Sequence, residues 1–155
     1  MEIFEKICIF LRDQEIEFRT VHHEPTTTSE ASARARGEDL KTGGKALVIK
    51  TDETFRLFVL SASLKTNSKK IKKHFNCRRI RFADRDELYD LTGLVPGAVP
   101  PFGRPILDLK LYVDRSIVEN EKIAFNAGSL TDSIVMKTED YLKAANPEII
   151  DFSKE

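Results

Sequence analysis

The sequence predicts an α+β fold, a single compact domain over residues 1–155 with surrounding helices and a curved, mixed, mostly antiparallel sheet that is barrel-like in its curl. Two observations carry this expectation. Helical and alternating patterns are interspersed without the strict β-then-α order of a doubly wound sheet. Several alternating apolar runs are also joined by links of hairpin length. With 155 residues, 41% hydrophobic and 32% charged, the chain can bury a core without disulfides or a structural metal.

The elements follow in order. Ile3, Phe4, Ile7, Phe10 and Leu11 recur at helical spacing and predict a helix over 3–14. "EIEFRTV" alternates Ile16 and Phe18 with charged neighbours, as a half-buried strand does. "TTTSEASARARG" reads as a helix, with Thr27 and Glu30 at capping-box spacing and Gly37 as its stop. "KALVIK" and "FRLFVL" flank "TDET" and predict a hairpin with a four-residue loop. "TNSKKIKKHF" is a short helix on Ile71 and Phe75, "RRIRF" a strand, and "ADRDELYDLTG" a helix boxed by Asp84 and Glu87 and ended by Gly93. "ILDLKLYVD", "KIAFNAG" and "SIVM" read as strands, the last two joined at Gly128, and "TEDYLKAA" as a closing helix capped by Thr138.

Composition excludes several classes. Lys plus Arg and Asp plus Glu both number 25, so overall charge predicts no nucleic-acid partner, and any such partner must be met by a local patch. The two cysteines, Cys8 and Cys77, form no CxxC pair, and Cys8 reads as a small core residue. Acids at Glu2 and Glu5 and the lack of a long uncharged run predict no signal peptide and no membrane partner, with the cytoplasm as compartment. His22 and His23 are adjacent, so on a strand they would point to opposite faces, and no HExxH spacing occurs; neither a metal nor a cofactor is expected. There is no GxSxG elbow, and His74 and Cys77 sit at a helix end inside a basic run, which supports no Cys–His nucleophile.

Three features remain. "TGGKAL" is not a phosphate loop, because Asp39 stands where the pattern needs its first glycine and Ala46 where it needs Ser or Thr. Lys45 opens an apolar strand, either as a strand-edge lysine with its stem packed or as a functional cation. Between residues 65 and 81, Lys65, Lys69, Lys70, Lys72, Lys73, Arg78, Arg79 and Arg81 occur with no acid among them. That run is either a solvated face or a phosphate-backbone contact surface. "GLVPGAVPPFG", residues 93–103, holds three of the seven glycines and three of the six prolines. Such a loop is stiff and presents main-chain groups; it is either a rigid turn or the wall of an oxyanion site.

Taken together, "VHHEPTTTSEASARARG", "KALVIK", "LTGLVPGAVPPFG", "YVDRSI" and "FNAGSLTDSIVM" resemble, in order and spacing, the YbaK/prolyl-tRNA-synthetase-associated editing domains, and the Gly-rich, Pro-Phe-Gly loop is the most specific block. The resemblance implies a free-standing, metal-independent deacylase acting on mischarged aminoacyl-tRNA. Water attacks the ester in a pocket lined by main chain, assisted by a ribose hydroxyl of the substrate. It implies catalytic roles for Lys45, Gly97 and Gly103, with Lys45 anchoring the 3′-terminal nucleotide. Substrate-binding roles fall to Thr28, Val99, Pro100, Pro101, Phe102, Asn126, Gly128 and Ser133. Lys69, Lys70, Lys72, Lys73, Arg78 and Arg79 are the expected tRNA contacts. Aminoacyl-tRNA and an aminoacyl-tRNA synthetase are the expected partners. "FNAG" stands where the alanyl-specific group carries His-Pro and the cysteinyl-specific group Ser-Gly-Gly, and it is more similar to free-standing relatives acting on small or hydroxylated amino acids. The alternative is a non-catalytic module that docks on tRNA or a synthetase.

Overall fold

The structure is a computed structural model that describes residues 1–154. In chain order its elements are α1 (Ile3–Asp13), β1 (Phe18–His22), α2 (Ser29–Arg36), a single 3-10 turn (Leu40–Thr42), β2 (Gly44–Thr51), β3 (Thr54–Ser61), β4 (Lys65–Thr66), α3 (Ser68–Phe75), β5 (Ile80–Phe82), α4 (Arg85–Thr92), β6 (Leu111–Asp114), α5 (Arg115–Val118), β7 (Lys122–Asn126), β8 (Asp132–Lys137), α6 (Thr138–Ala145), β9 (Glu148–Ile150) and β10 (Ser153–Lys154). The α+β expectation holds, and five of the seven strand pairings are antiparallel. The barrel does not form. The strands divide into a five-stranded sheet ordered β5-β2-β3-β6-β9, a three-stranded sheet β1-β8-β7 and a pair β10-β4. The large sheet stays open at β5 and β9. A single parallel bridge, Gly43 to Ala124, ties the five-stranded sheet to the three-stranded one.

The continuous apolar run of β3 explains this layout. Successive side chains of a strand point to opposite faces, so "LFVL" needs cover on both sides. Leu57 and Val59 join one core with Val48, Leu111 and Val113 of the same sheet, Ile7 and Leu11 of α1, and Ile123, Phe125, Ile134 and Met136 of the three-stranded sheet. Phe58 and Leu60 join a second core with Ile49, Tyr112, Ile71 of α3 and Phe152. Phe75 of α3 completes it edge-on to Phe58 and Tyr112, at centroid distances of 5.9 and 4.9 Å. Among the described residues, no helix is long and apolar enough to cross a membrane.

Several local expectations change. The β2–β3 turn has two residues, since Thr51 pairs with Thr54, and Asp52 takes a positive φ of 52° there. The cap of α2 is Thr28, whose Oγ1 accepts from Ala31 N at 3.1 Å; position N3 is therefore Ala31 and no capping box forms. The Asp84/Glu87 box of α4 is present. Lys137, not Thr138, stands at the N-cap of α6, and its side chain makes no capping hydrogen bond. In "ILDLKLYVD" only Leu111–Asp114 is strand; Ile106, Leu107 and Leu109 fill the core from an irregular segment. That segment fixes the back of the Pro/Gly loop. A Cβ on Gly103 would lie 2.5 Å from the Leu109 carbonyl oxygen, which is rigid backbone. Phe102 is buried edge-on to Phe125 and Tyr141, and the Tyr141 hydroxyl donates to the Pro101 carbonyl.

Asp114 closes the second core. Its Oδ1 accepts from Phe152 N (2.7 Å) and Ser153 N (3.1 Å), and its Oδ2 from Ser116 N (3.0 Å). Burial pushes its carboxyl up, but the N–H of Phe152 and the donors of Ser116 and Ser153 outweigh burial and hold it below the ordinary aspartate value. A lowered folded-state pKa means that the stabilisation is complete above the unfolded value and is lost as pH falls through the folded one. Asp114→Ala leaves these buried amides unpaired and is expected to cost about 2–4 kcal/mol, read by denaturant melts, with less acid sensitivity than wild type. Gly103→Ala is expected to lower the melting temperature by several degrees through the clash with Leu109, which a thermal scan measures directly.

Candidate active site

The glycines of "TGGK" are explained by close approach, not by phosphate binding. A Cβ on Gly44 would lie 2.7 Å from Ile123 Cδ1, so only glycine lets β2 start this near β7. A cavity of about 210 Å³ opens beside this seam. Its walls come from the start of α2 (Thr26 to Ser29, Ser32 and Arg36), the start of β2 (Gly43 to Leu47), the Pro/Gly loop (Gly97 and Val99), Ala62 and Asn126.

Lys45, Gly97, Thr28, Val99 and Asn126 of the expected site therefore share one cavity. Pro100, Pro101, Phe102 and Gly103 lie behind it, buried in the core. Gly128 packs on Ile3 of α1, and Ser133 is fully buried one layer behind Asn126. Lys45 Nζ donates to the Leu64 carbonyl at 2.7 Å. Burial, and then the charge of Lys65, hold its ammonium below an ordinary lysine pKa, with Glu30 acting in the opposite direction. Gly97 adopts φ +89°, a conformation that side chains rarely take. Ala98 N donates to Val95 O at 3.1 Å, whereas the amides of Gly97 and Val99 donate to no acceptor among the described residues.

Sequence reasoning singled out Asn126 and Ser133 but missed Arg36, Thr26, Ser32 and His23, the polar groups around them. Arg36 is 8% exposed; its Nε donates to Ser133 Oγ at 2.9 Å and its Nη2 to Asn126 Oδ1 at 3.0 Å. Asn126 Nδ2 donates to the Gly97 carbonyl at 2.8 Å, tying the hairpin to the loop. Thr26 and Ser32 hydroxyls meet at 2.7 Å, and His23 Nε2 lies 2.8 Å from Ser133 Oγ. Burial draws the Arg36 pKa down to about 10, opposed by Glu38. The available signal was that Ser32, Ala33 and Arg36 lie on one face of a helix rich in small residues, a face that can pack close to its neighbours.

The basic run is divided by the fold. Lys65 begins it beside Lys45, and α3 follows on the sheet face that Lys45, Leu47 and Ile49 share by alternation. Lys70 is engaged by Asp151 at 3.0 Å and Ser153 O at 3.1 Å. Among the described residues, Lys69, Lys72 and Lys73 make no ion pair. The backbone amides of Arg78 and Arg79 both donate to Asp52 Oδ1 at 3.0 Å. These arginines stand by Ile80, opposite Thr51, six residues along β2 from Lys45 and so about 20 Å from it.

Comparison with known proteins identifies the family. Residues 23–144 match the model of the aminoacyl-tRNA editing domain. The chain is 36% identical over 156 residues to the multifunctional Ser/Thr-tRNA deacylase ProXp-y of Escherichia coli K12, covering 97% of this chain and 92% of that protein. It is 33% identical over 100 residues to the proline–tRNA ligase of Shouchella clausii, across 64% of this chain and 17% of the ligase. The crystal structure of a candidate trans-editing enzyme for prolyl-tRNA synthetase superposes with a TM-score of 0.85 at 20% identity, over 100% of this chain and 99% of that one, and so shares the fold. By its sequence, this chain belongs to the aminoacyl-tRNA editing domain family.

Proposed function

We propose that the protein is a deacylase that acts in trans on mischarged aminoacyl-tRNA, with residues 1–155 working as one editing unit. The observation that carries this reading is the meeting of Lys45, the Gly97–Val99 segment and Asn126 in one small cavity. At about 210 Å³ it is below the roughly 300–1,000 Å³ of pockets for drug-sized ligands and suits a small aminoacyl group. Its hydroxyl-bearing wall of Thr26, Thr27, Thr28, Ser29 and Ser32 favours a substrate that can exchange hydrogen bonds. The likeness to a Ser/Thr-tRNA deacylase supports seryl and threonyl esters as that substrate.

In this reading water adds to the ester carbonyl and the carbonyl oxygen takes up negative charge. The unpaired amides of Gly97 and Val99 receive it, acting as preorganised donors. Collapse of the intermediate breaks the bond to the ribose oxygen, releasing the amino acid and the tRNA end; a neighbouring ribose hydroxyl assists the attack by relaying the proton lost by the water to the departing ribose oxygen. Thr28 and Asn126 line the aminoacyl side, and Gly103, Pro100, Pro101, Phe102, Gly128 and Ser133 contribute by fixing the loop and hairpin. Lys45 holds a phosphate or ribose oxygen of the 3′-terminal nucleotide. The tRNA body lies along the α3 face, where Lys69, Lys72 and Lys73 neutralise phosphates, with Lys70, Arg78 and Arg79 at its margins. A prolyl-tRNA synthetase is proposed as a docking partner, on the likeness to part of a proline–tRNA ligase.

Lys45→Ala is expected to lower kcat/KM on seryl-tRNA about 10- to 100-fold, the loss of one charge-assisted hydrogen bond, measured as release of labelled serine. Wild type and variant equally inactive, with tRNA still bound, would favour the non-catalytic docking module instead. The alkaline limb of the pH–rate profile tests the same lysine. Its lowered pKa means that its proton leaves at a lower pH than that of an ordinary lysine. Lys65→Met removes a like charge, raises the Lys45 pKa and is expected to move that limb to higher pH.

A further inference from the structure

Arg36 is a buried cation with no carboxylate at ion-pair distance among the described residues; its hydrogen-bond partners are the neutral oxygens of Ser133 and Asn126. Burying a charge in this way is costly, so the arrangement calls for a reason other than stability. We infer, resting on the deacylase reading, that Arg36 is a positioning residue: by fixing which end of the Asn126 amide faces the Gly97 carbonyl, it sets the place of the main-chain groups that act on the ester.

A guanidinium only donates, so the Asn126 atom facing Nη2 at 3.0 Å must be Oδ1. A carbonyl only accepts, so the Asn126 atom facing Gly97 O at 2.8 Å must be Nδ2. Reversing the amide would oppose two donors at Arg36 and two acceptors at Gly97. Ser133 cannot set this order, because its hydroxyl both gives and takes. His23 Nδ1 lies 2.8 Å from the Glu24 carbonyl and therefore carries a proton there. Its Nε2 lies 2.8 Å from Ser133 Oγ. Ser133 Oγ accepts from Arg36 Nε at 2.9 Å and donates to Asn126 Oδ1 at 3.1 Å, so the guanidinium acts on the amide both directly and through the hydroxyl it orients. Gly97 sits at the far end of this chain of contacts with a positive φ of 89°, a place where a small rotation re-aims its own amide and those that follow.

The test uses the full chain and seryl-tRNA. Arg36→Gln and Arg36→Lys are both expected to lower kcat about 10- to 100-fold with KM nearly unchanged, since the displaced groups act on the transition state. The pair Arg36→Gln with Asn126→Ala is expected to be no slower than Asn126→Ala alone; additive losses, or wild-type kcat in Arg36→Gln, would overturn the inference. A second readout needs no turnover: the Asn126 side-chain amide, followed by ¹⁵N NMR, should be protected from exchange in wild type and exchange faster in either Arg36 variant. Should wild type prove inactive on seryl-tRNA while this protection follows Arg36, the deacylase reading fails and the positioning role stands. Unchanged exchange in a folded Arg36→Lys protein would remove the positioning role, whatever the activity.

Discussion

The need to cover β3 on both faces governs this protein. One face of its sheet is closed by α1 and the three-stranded sheet, the other by α3 and the segment around Phe152. Two layers must therefore approach the same strands, and on one side the second layer is itself a sheet. The sheets come nearest at the start of β2, where Gly44 lets Ile123 in, and the cavity opens beside that contact. The site is a product of how the sheets are joined, which is why its walls come from five separate parts of the chain.

Much of the architecture was legible because periodicity reports burial. The helices on Ile7 and Leu11 and on Ile71 and Phe75, and the β2–β3 hairpin, follow from it directly. It misled at residues 106–110, since an irregular segment that feeds Ile106, Leu107 and Leu109 into a core has the same alternation as a strand. It was silent on β9 and β10, of three and two residues, which are held by pairing to β6 and β4 and by Asp114 and are too short for any period. The expected barrel failed for a related reason: alternation specifies which face is buried but not which strand lies next.

The site was half legible. Lys45, Gly97 and Asn126 could be singled out because the order of several weak blocks resembles a known family. Arg36 could not, because "SARAR" has the composition of a solvated helix and only the three-dimensional structure shows its last residue meeting Ser133 and Asn126. Gly103 and Phe102 belong to the same distinctive loop as Gly97, yet the fold turns them toward the core, where they hold the loop's shape. Composition marked the loop as unusual without saying which of its residues face the cavity.

The unpaired amides of Gly97 and Val99 belong to the backbone, which every substitution other than proline leaves in place. Side chains around the cavity are free to change in size and polarity while the groups proposed to receive the oxyanion remain. A lineage built on such a site can diversify its choice of amino acid through single exchanges at positions such as Thr26, Val99 or Ser32 without rebuilding the reaction. Selectivity and reactivity then evolve on separate parts of the polymer, the first inherited through side chains and the second through the path of the main chain.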